Sequence, residues 1–318
     1  MEYRRLGKSG LKVSSLSFGS WITFSNQVDT KLGQRLMEVA YEAGVNFFDN
    51  AEAYAGGESE VIMGQALKNL GWTRDSYIVS SKVFWGGDKP TQRGLSKKHV
   101  HDACHAALKR LQVDYLDLYF AHRPDPETPI EETVRAMDTL IQQGKVLYWG
   151  TSEWNAQQIT QAHQVARELG LTPPTMEQPE YNLLHREKVE KDFAPIYETY
   201  GLGLTTWSPL ASGILTGKYK DGIPKGSRAE YSPLIKRTLE SEEGKRQIAK
   251  ANELGVVADE LGISLAQLSL AWCLTNKNVS TVILGASKET QLVENLKTLD
   301  VVEKLTPEVL EKIEGILS

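Results

Sequence analysis

Cysteine is nearly missing from this chain: Cys104 and Cys273 are the only two in 318 residues, and they lie far apart. That excludes a disulfide framework and a cysteine-based metal centre, and makes a reducing, cytoplasmic setting the expectation. No apolar run reaches the roughly 20 residues needed to span a bilayer, so membrane insertion is not expected. The opening, MEYRRLGKSGLKVSS, has no continuous apolar core of the kind a secretion signal carries. Excess positive charge is lacking too. The formal net charge is −5, with Lys and Arg scattered along the chain, which argues against nucleic acid or an anionic membrane as the main partner. Histidine is scarce, at six residues. His101 and His105 stand four apart beside Cys104 in HVHDACH, but no third ligand is evident, so no metal site is expected.

What is present is an ordinary globular composition, 41% hydrophobic and 24% charged, arranged as one repeated theme. EYRRLGKSGLKVS turns at Gly7-Lys8-Ser9-Gly10 and reads as a hairpin. Strands are then expected near 16–19, 45–48, 77–81, 115–120, 146–150, 175–178, 204–207 and 281–284. Helical spacing follows the first six at 31–43, 59–69, 97–111, 130–143, 156–169 and 187–200. A long irregular segment and helices near 243–261 and 264–275 follow the seventh, and a helix near 288–297 follows the eighth. Alternation of this kind means a parallel sheet. Eight units in about 300 residues match a closed α/β barrel of the (β/α)8, or TIM, type. The expectation is a single domain over 1–318, with an N-terminal β-hairpin and a long loop after strand 7. The runner-up, an open doubly wound sheet, would show a Gly-rich fingerprint after its first strand. This chain reads FGSWITF there.

In such a barrel the site forms where strands end and helices begin. Polar residues gather at those positions: Ser20 and Trp21, Asp49 and Tyr54, Lys82, His122, Thr151 and Ser152, Gln178, Trp207 and Ser208, then Gly285 to Ser287. A carboxylate, a phenol, an amine and an imidazole thus come from three neighbouring strands. A free tyrosine has a pKa of about 10 and is a poor acid near neutrality. A nearby ammonium favours the phenolate, and a carboxylate beside the ammonium keeps it charged and oriented. The set suits protonation of a carbonyl oxygen as negative charge develops on it. None of these side chains carries hydride, so a nicotinamide is needed.

The stretches FFDNAEAY, SSKVFWGG, LYFAHRPDP, GTSEW, TWSPLASGILTGKY and ILGAS together resemble the aldo-keto reductases, essentially end to end. RPDPETPIEETVRAMDTLIQQGKVLYWGTS is most similar to the branch of the voltage-gated potassium channel β subunits and their bacterial relatives. The resemblance implies NADPH-dependent reduction of aldehydes and ketones by a tetrad of Asp49, Tyr54, Lys82 and His122. Tyr54 would be the general acid, Lys82 paired with Asp49 would lower its pKa, and His122 would position the carbonyl. The alternative implied is a slow-turnover, NADPH-binding regulatory subunit. Channel subunits often carry Asn where His122 stands and a basic residue where Glu153 stands. Relatives in this branch assemble into tetramers or larger rings, so a homo-oligomer is implied. A third use of the fold, with Lys82 as a Schiff-base lysine, is disfavoured by Asp49, which keeps the amine protonated.

GASKETQ has the form of a barrel phosphate loop: Gly285 allows close approach, Ser287 can donate and Lys288 brings charge. Resemblance extends the cofactor set to Gln291, Glu294 and Asn295 at the adenine end, and to Ser20, Trp21, Gln27, Asp49 and Pro209. SPLASGILTGKYKDGIPKGSR contributes Ser208, Leu210, Ser212, Gly213, Lys218 and Arg228. Two cations in a Gly-rich loop suit a pyrophosphate and a 2′-phosphate, so NADPH/NADP+ is expected over NADH. Ser152 and Gln178 would hold the nicotinamide carboxamide, and Trp207 would stack on its ring. Trp21, Phe24 and Trp85 either line an aromatic substrate cleft or pack the rim. An apolar mouth with few charges suggests neutral aldehydes or ketones, not acids or sugar phosphates.

Overall fold

The computed structural model describes residues 1–21, 30–225 and 227–318, without the side chains of 228, 231 and 234. A hairpin, β1 (Tyr3–Arg5) and β2 (Lys12–Ser14), precedes eight parallel strands. These are β3 (Leu16–Gly19), β4 (Phe47–Asp49), β5 (Ile78–Val83), β6 (Leu116–Ala121), β7 (Val146–Ser152), β8 (Met176–Gln178), β9 (Gly203–Thr206) and β10 (Val279–Leu284). They pair in sequence order, and β10 pairs with both β9 and β3, which closes the barrel. β5, β6 and β10 are buried on both faces, as parallel strands covered by helices must be.

The chain packs as two compact units. One comprises 1–179, 187–206 and 278–292, and the other 180–186, 207–277 and 293–318. The first holds the barrel and helices α1 (Thr30–Glu42), α2 (Glu58–Leu70), α3 (Lys97–Leu111), α4 (Ile130–Gln142), α5 (Ala156–Leu169) and α6 (Ala194–Tyr200). Their starts are written in the sequence. Ser96 accepts from the His99 amide at α3, and Asn155 and Gln158 cap each other's backbone at α5, each cap worth about 1 kcal/mol. The helix expected over 187–200 is instead a π-type turn at Lys188–Asp192 followed by α6. Pro195 has no N–H to continue the ladder, so the helix restarts around it.

The second unit holds α7 (Arg228–Tyr231), α8 (Pro233–Glu240), α9 (Glu242–Leu261) and α10 (Leu265–Thr275). α11 (Glu289–Leu296) carries the chain from the first unit into the second, which ends in α12 (Pro307–Leu317). Among the described residues no single helix is long and apolar enough to cross a membrane; α9 and α10 pass that test only as a pair bent by 91°.

The barrel floor is apolar. Leu6 and Val13 of the hairpin pack with Phe47, Ile78, Leu118, Phe120 and Met176, all buried. Burying a side chain of this size contributes roughly 1.5–3 kcal/mol. Strand side chains alternate in direction. The parity that sends Phe47, Ile78 and Met176 into the barrel also sends Asp49, Ser80, Lys82 and Gln178 inward, further toward the carboxyl ends of the same strands.

Candidate active site

Asp49 is the last residue of β4 and Lys82 lies near the end of β5, so both side chains enter the barrel at its upper rim. The Lys82 side chain is fully buried. Its Nζ donates to Asp49 Oδ2 at 2.6 Å, to the Asn50 carbonyl at 2.8 Å and to Tyr54 Oη at 2.9 Å. Those three bonds account for the three hydrogens of an ammonium. Asp49 Oδ1 accepts from Ser80 Oγ at 2.8 Å and Gln178 Nε2 at 3.2 Å, and its carbonyl accepts from Ser20 Oγ at 3.0 Å. Each charge of the pair is therefore paired and hydrogen-bonded, the condition for burying it.

Tyr54 arrives from the loop after β4. Beyond it Ala55, Gly56 and Gly57 all have positive φ, a tight turn into α2 that favours glycine. A Cβ on Gly57 would also meet the Arg110 side chain at 3.0 Å. Glu52 fixes the same loop: its amide donates to the Lys82 carbonyl at 3.2 Å, and its Oε1 accepts from the Phe84 amide at 2.7 Å. His99 of α3 backs Glu52 at 3.4 Å.

The electrostatics correct one expectation. Burial pushes the Tyr54 phenol well above its ordinary value and the Asp49 carboxylate pushes the same way, while Arg123 pulls it back. Asp49 offsets the lysine charge that was to acidify the phenol, and burial opposes any net negative charge. Burial likewise lowers the Lys82 pKa, with Asp49 opposing. His122 is held well below its usual range by burial and by the Lys82 and Arg123 charges, and so stays neutral. Its Nδ1 is buried and has no hydrogen-bond partner among the described residues. The ring sits edge-on to Tyr54, centroids 5.9 Å apart, and to Trp85 at 5.1 Å.

Around this core the rim is aromatic. Trp21 is 41% exposed and Trp85 38%, so both leave a face uncovered; Trp21 lies 6.4 Å from the Tyr54 ring. Phe24 and Gln27 lie outside the described residues, as does the Arg228 side chain. Ser152 Oγ donates to the Gln178 carbonyl at 2.9 Å, which brings the two expected carboxamide ligands together. The next residue, Glu153, has a left-handed φ of 60° and pairs with Lys188 at 2.5 Å, which meets its charge locally. Glu177 points the other way from Gln178. It is buried, accepts from Thr151, and burial pushes its carboxyl up to about 8.

The expected phosphate loops divide between the two units. In the first, Gly285 and Lys288 are exposed, and no ion-pair partner of Lys288 occurs among the described residues. Gln291 Oε1 accepts from both the amide and the hydroxyl of Ser287, at 3.1 and 3.2 Å. In the second, Trp207 is half-buried and bridges Glu180, and Pro209 is buried. Ser208, Ala211, Ser212 and Gly213 all have positive φ, and Leu210 lies between them. Two amides of this turn are used within it: that of Ala211 donates to the Ser208 carbonyl at 2.9 Å and that of Gly213 to the Leu210 carbonyl at 2.8 Å. A Cβ on Gly213 would meet Lys218 Nζ at 2.5 Å, so the cation lies against this turn. Glu294 is half-buried and its carbonyl accepts from Gln267, while Asn295 is buried.

Sequence reasoning passed over Ser80, Asn50, Glu52 and Arg123. Ser80 was legible from its parity with Lys82. Arg123 follows His122 directly and is the cation whose charge bears on Tyr54, Lys82 and His122. Cys104 is buried, its thiol pushed up to about 12, which excludes a nucleophilic role.

Two curated proteins named as probable voltage-gated potassium channel subunit beta align over the full chain. That of Oryza sativa subsp. japonica is 56% identical over 321 residues, covering 100% of this chain and 97% of its own length. That of Arabidopsis thaliana is 54% identical over 321 residues, with the same coverage. The family model described as "Aldo/keto reductase family" matches residues 15–318. With that match joined to the closed eight-stranded barrel, the chain belongs to the aldo/keto reductase family.

Proposed function

We propose that this protein reduces aldehydes and ketones with NADPH, and that 1–318 acts as one catalytic domain. The observation that carries the reading is the single buried ammonium of Lys82 bonded at once to Asp49 and Tyr54. The donor set fits the cofactor. Ser152 and Gln178 offer hydroxyl and amide groups for the carboxamide, Lys288 is exposed for a phosphate, and Ser208–Gly213 is assigned to another on the strength of the Lys218 cation against it. Glu294, Asn295 and Lys218 belong to the same assignment. NADPH when bound supplies the hydride.

The chain's own residues handle the proton. Tyr54 Oη gives its proton to the carbonyl oxygen as charge develops there. Its high pKa does not prevent this. An alkoxide is about as basic as hydroxide, and a phenol is a far stronger acid than an alcohol, so the transfer runs downhill. Burial keeps the proton on Tyr54 until that moment. Lys82 then meets the phenolate at 2.9 Å without moving, a donor organised in advance. Neutral His122 offers a ring nitrogen to orient the carbonyl. Trp21 and Trp85 cover the apolar part of the substrate.

The test is stopped-flow oxidation of protein-bound NADPH by 4-nitrobenzaldehyde. A single-turnover loss of nicotinamide absorbance, abolished in Tyr54→Phe, is expected; absence of oxidation on any timescale removes the enzyme reading. A second reading is supported by the names of the 54–56% identical relatives: a slow-turnover NADPH-binding subunit regulating a channel. It shares the binding step and differs in turnover, so NADPH binding without oxidation selects it.

A further inference from the structure

Arg123 stands at the barrel rim with more donors than the protein uses. Its Nη1 donates to the His122 carbonyl at 2.6 Å and to Ser152 Oγ at 3.4 Å. The guanidinium lies 5.3 Å from the ring centroid of Trp85, one of the two uncovered rim aromatics. No carboxylate among the described residues pairs with it, and Nε and Nη2 make no hydrogen bond there. Arg has five N–H donors in a planar fork that matches a carboxylate. Stacking on the Trp85 ring stabilises the guanidinium, and none of its nitrogens is a buried atom without a hydrogen-bond partner, so its unpaired edge reaches solvent, where a ligand can meet it.

Resting on the reductase reading, we propose that Arg123 is a specificity residue that binds a carboxylate on the substrate, so that carbonyl compounds bearing an acid group are the preferred class. This replaces the neutral-substrate expectation drawn from the apolar mouth. Three features support it. The fork is anchored through one nitrogen, leaving one edge for a ligand. The anchor includes the His122 backbone, which sets the guanidinium beside the imidazole proposed to orient the carbonyl. The Trp85 face seats an aromatic or aliphatic body between the two polar ends.

The experiment compares 2-, 3- and 4-carboxybenzaldehyde with their methyl esters, in the full-length protein and in Arg123→Met and Arg123→Lys. The wild type is expected to favour at least one acid over its ester in kcat/KM. Arg123→Met lowers that acid-to-ester ratio by at least about tenfold, or about 1.4 kcal/mol. Arg123→Lys lowers it less, because charge remains without the fork. An unchanged ratio in Arg123→Met overturns the proposal, even if both rates fall together, since equal loss means that Arg123 acts only through the field at Tyr54. An unchanged ratio with weakened NADPH affinity also overturns it and assigns the guanidinium to a cofactor phosphate. If no aldehyde is turned over at all, the reductase reading fails on its own. Benzoate titration by tryptophan fluorescence then decides: weaker binding in Arg123→Met supports the anion site, and equal binding overturns it.

Discussion

The position of the Tyr54 proton makes the sharpest prediction, in the pH dependence of carbonyl reduction. Reduction needs the phenol protonated, and burial together with Asp49 raises its pKa above the ordinary value of about 10. A group with a raised pKa keeps its proton below that value and loses it only as pH rises through it. With a pKa of about 10, roughly nine-tenths of the phenol is protonated at pH 9; had Lys82 lowered it to about 8, roughly one-tenth would be. The two electrostatic accounts thus differ about tenfold in single-turnover rate at pH 9. Lys82, whose own pKa is lowered, serves the phenolate as an ammonium, so its deprotonation would lower the rate in the same sense; tyrosinate absorbance, wild type minus Tyr54→Phe, tells the two titrations apart. The assay is stopped-flow NADPH oxidation from pH 6 to 10, with Tyr54→Phe as background and circular dichroism at each pH to exclude unfolding. A rate nearly flat to pH 9 is expected. Half-loss at or below pH 8, with tyrosinate absorbance appearing over the same range, refutes the reasoning and restores the acidified phenol.

Other outcomes follow from the same geometry. Lys82→Met leaves Asp49 buried without its cation and should lower stability to urea by roughly 3–5 kcal/mol. Asp49→Asn with Lys82→Met should recover part of that, and strict additivity in the double mutant would contradict the pairing. Tyr54→Phe should lower the chemical step about 10²–10⁴-fold while NADPH affinity in a fluorescence titration changes little. Lys288→Ala should weaken NADPH about tenfold or more while NADH changes far less, the size of one charge-assisted hydrogen bond; equal losses would remove Lys288 from the 2′-phosphate. His122 stays neutral, so kcat should show no limb between pH 5.5 and 7.5, and a limb near 6.5 lost in His122→Asn would oppose this.

Much of the barrel was legible because strand and helix periods alternate without interruption. The α3 and α5 bounds were read to the residue, and strand ends drifted by at most two. The errors have identifiable causes. The 187–200 segment carries one apolar period, but Pro195 divides it. α12 was passed over although Thr306 and Pro307 announce it, because a C-terminal helix completes no strand–helix unit. The four groups proposed as the tetrad could be singled out because each stands at or just past the carboxyl end of a strand. The sign of the Tyr54 shift was not, because spacing shows which charges are near and does not show how much water is excluded. Arg123 escaped for a related reason: a cation next to a strand end looks solvated until its packing on Trp85 is seen.

One ammonium on β5 holds the 49–54 segment at three points at the top of the barrel, through Asp49, the Asn50 carbonyl and Tyr54. The chemistry and the architecture therefore decay at different rates under mutation. A descendant that stopped turning over substrate could shed the phenol or the imidazole at small cost, yet would go on keeping the lysine and its carboxylate merely to stay folded. Retention of that pair alone would mark ancestry and not use.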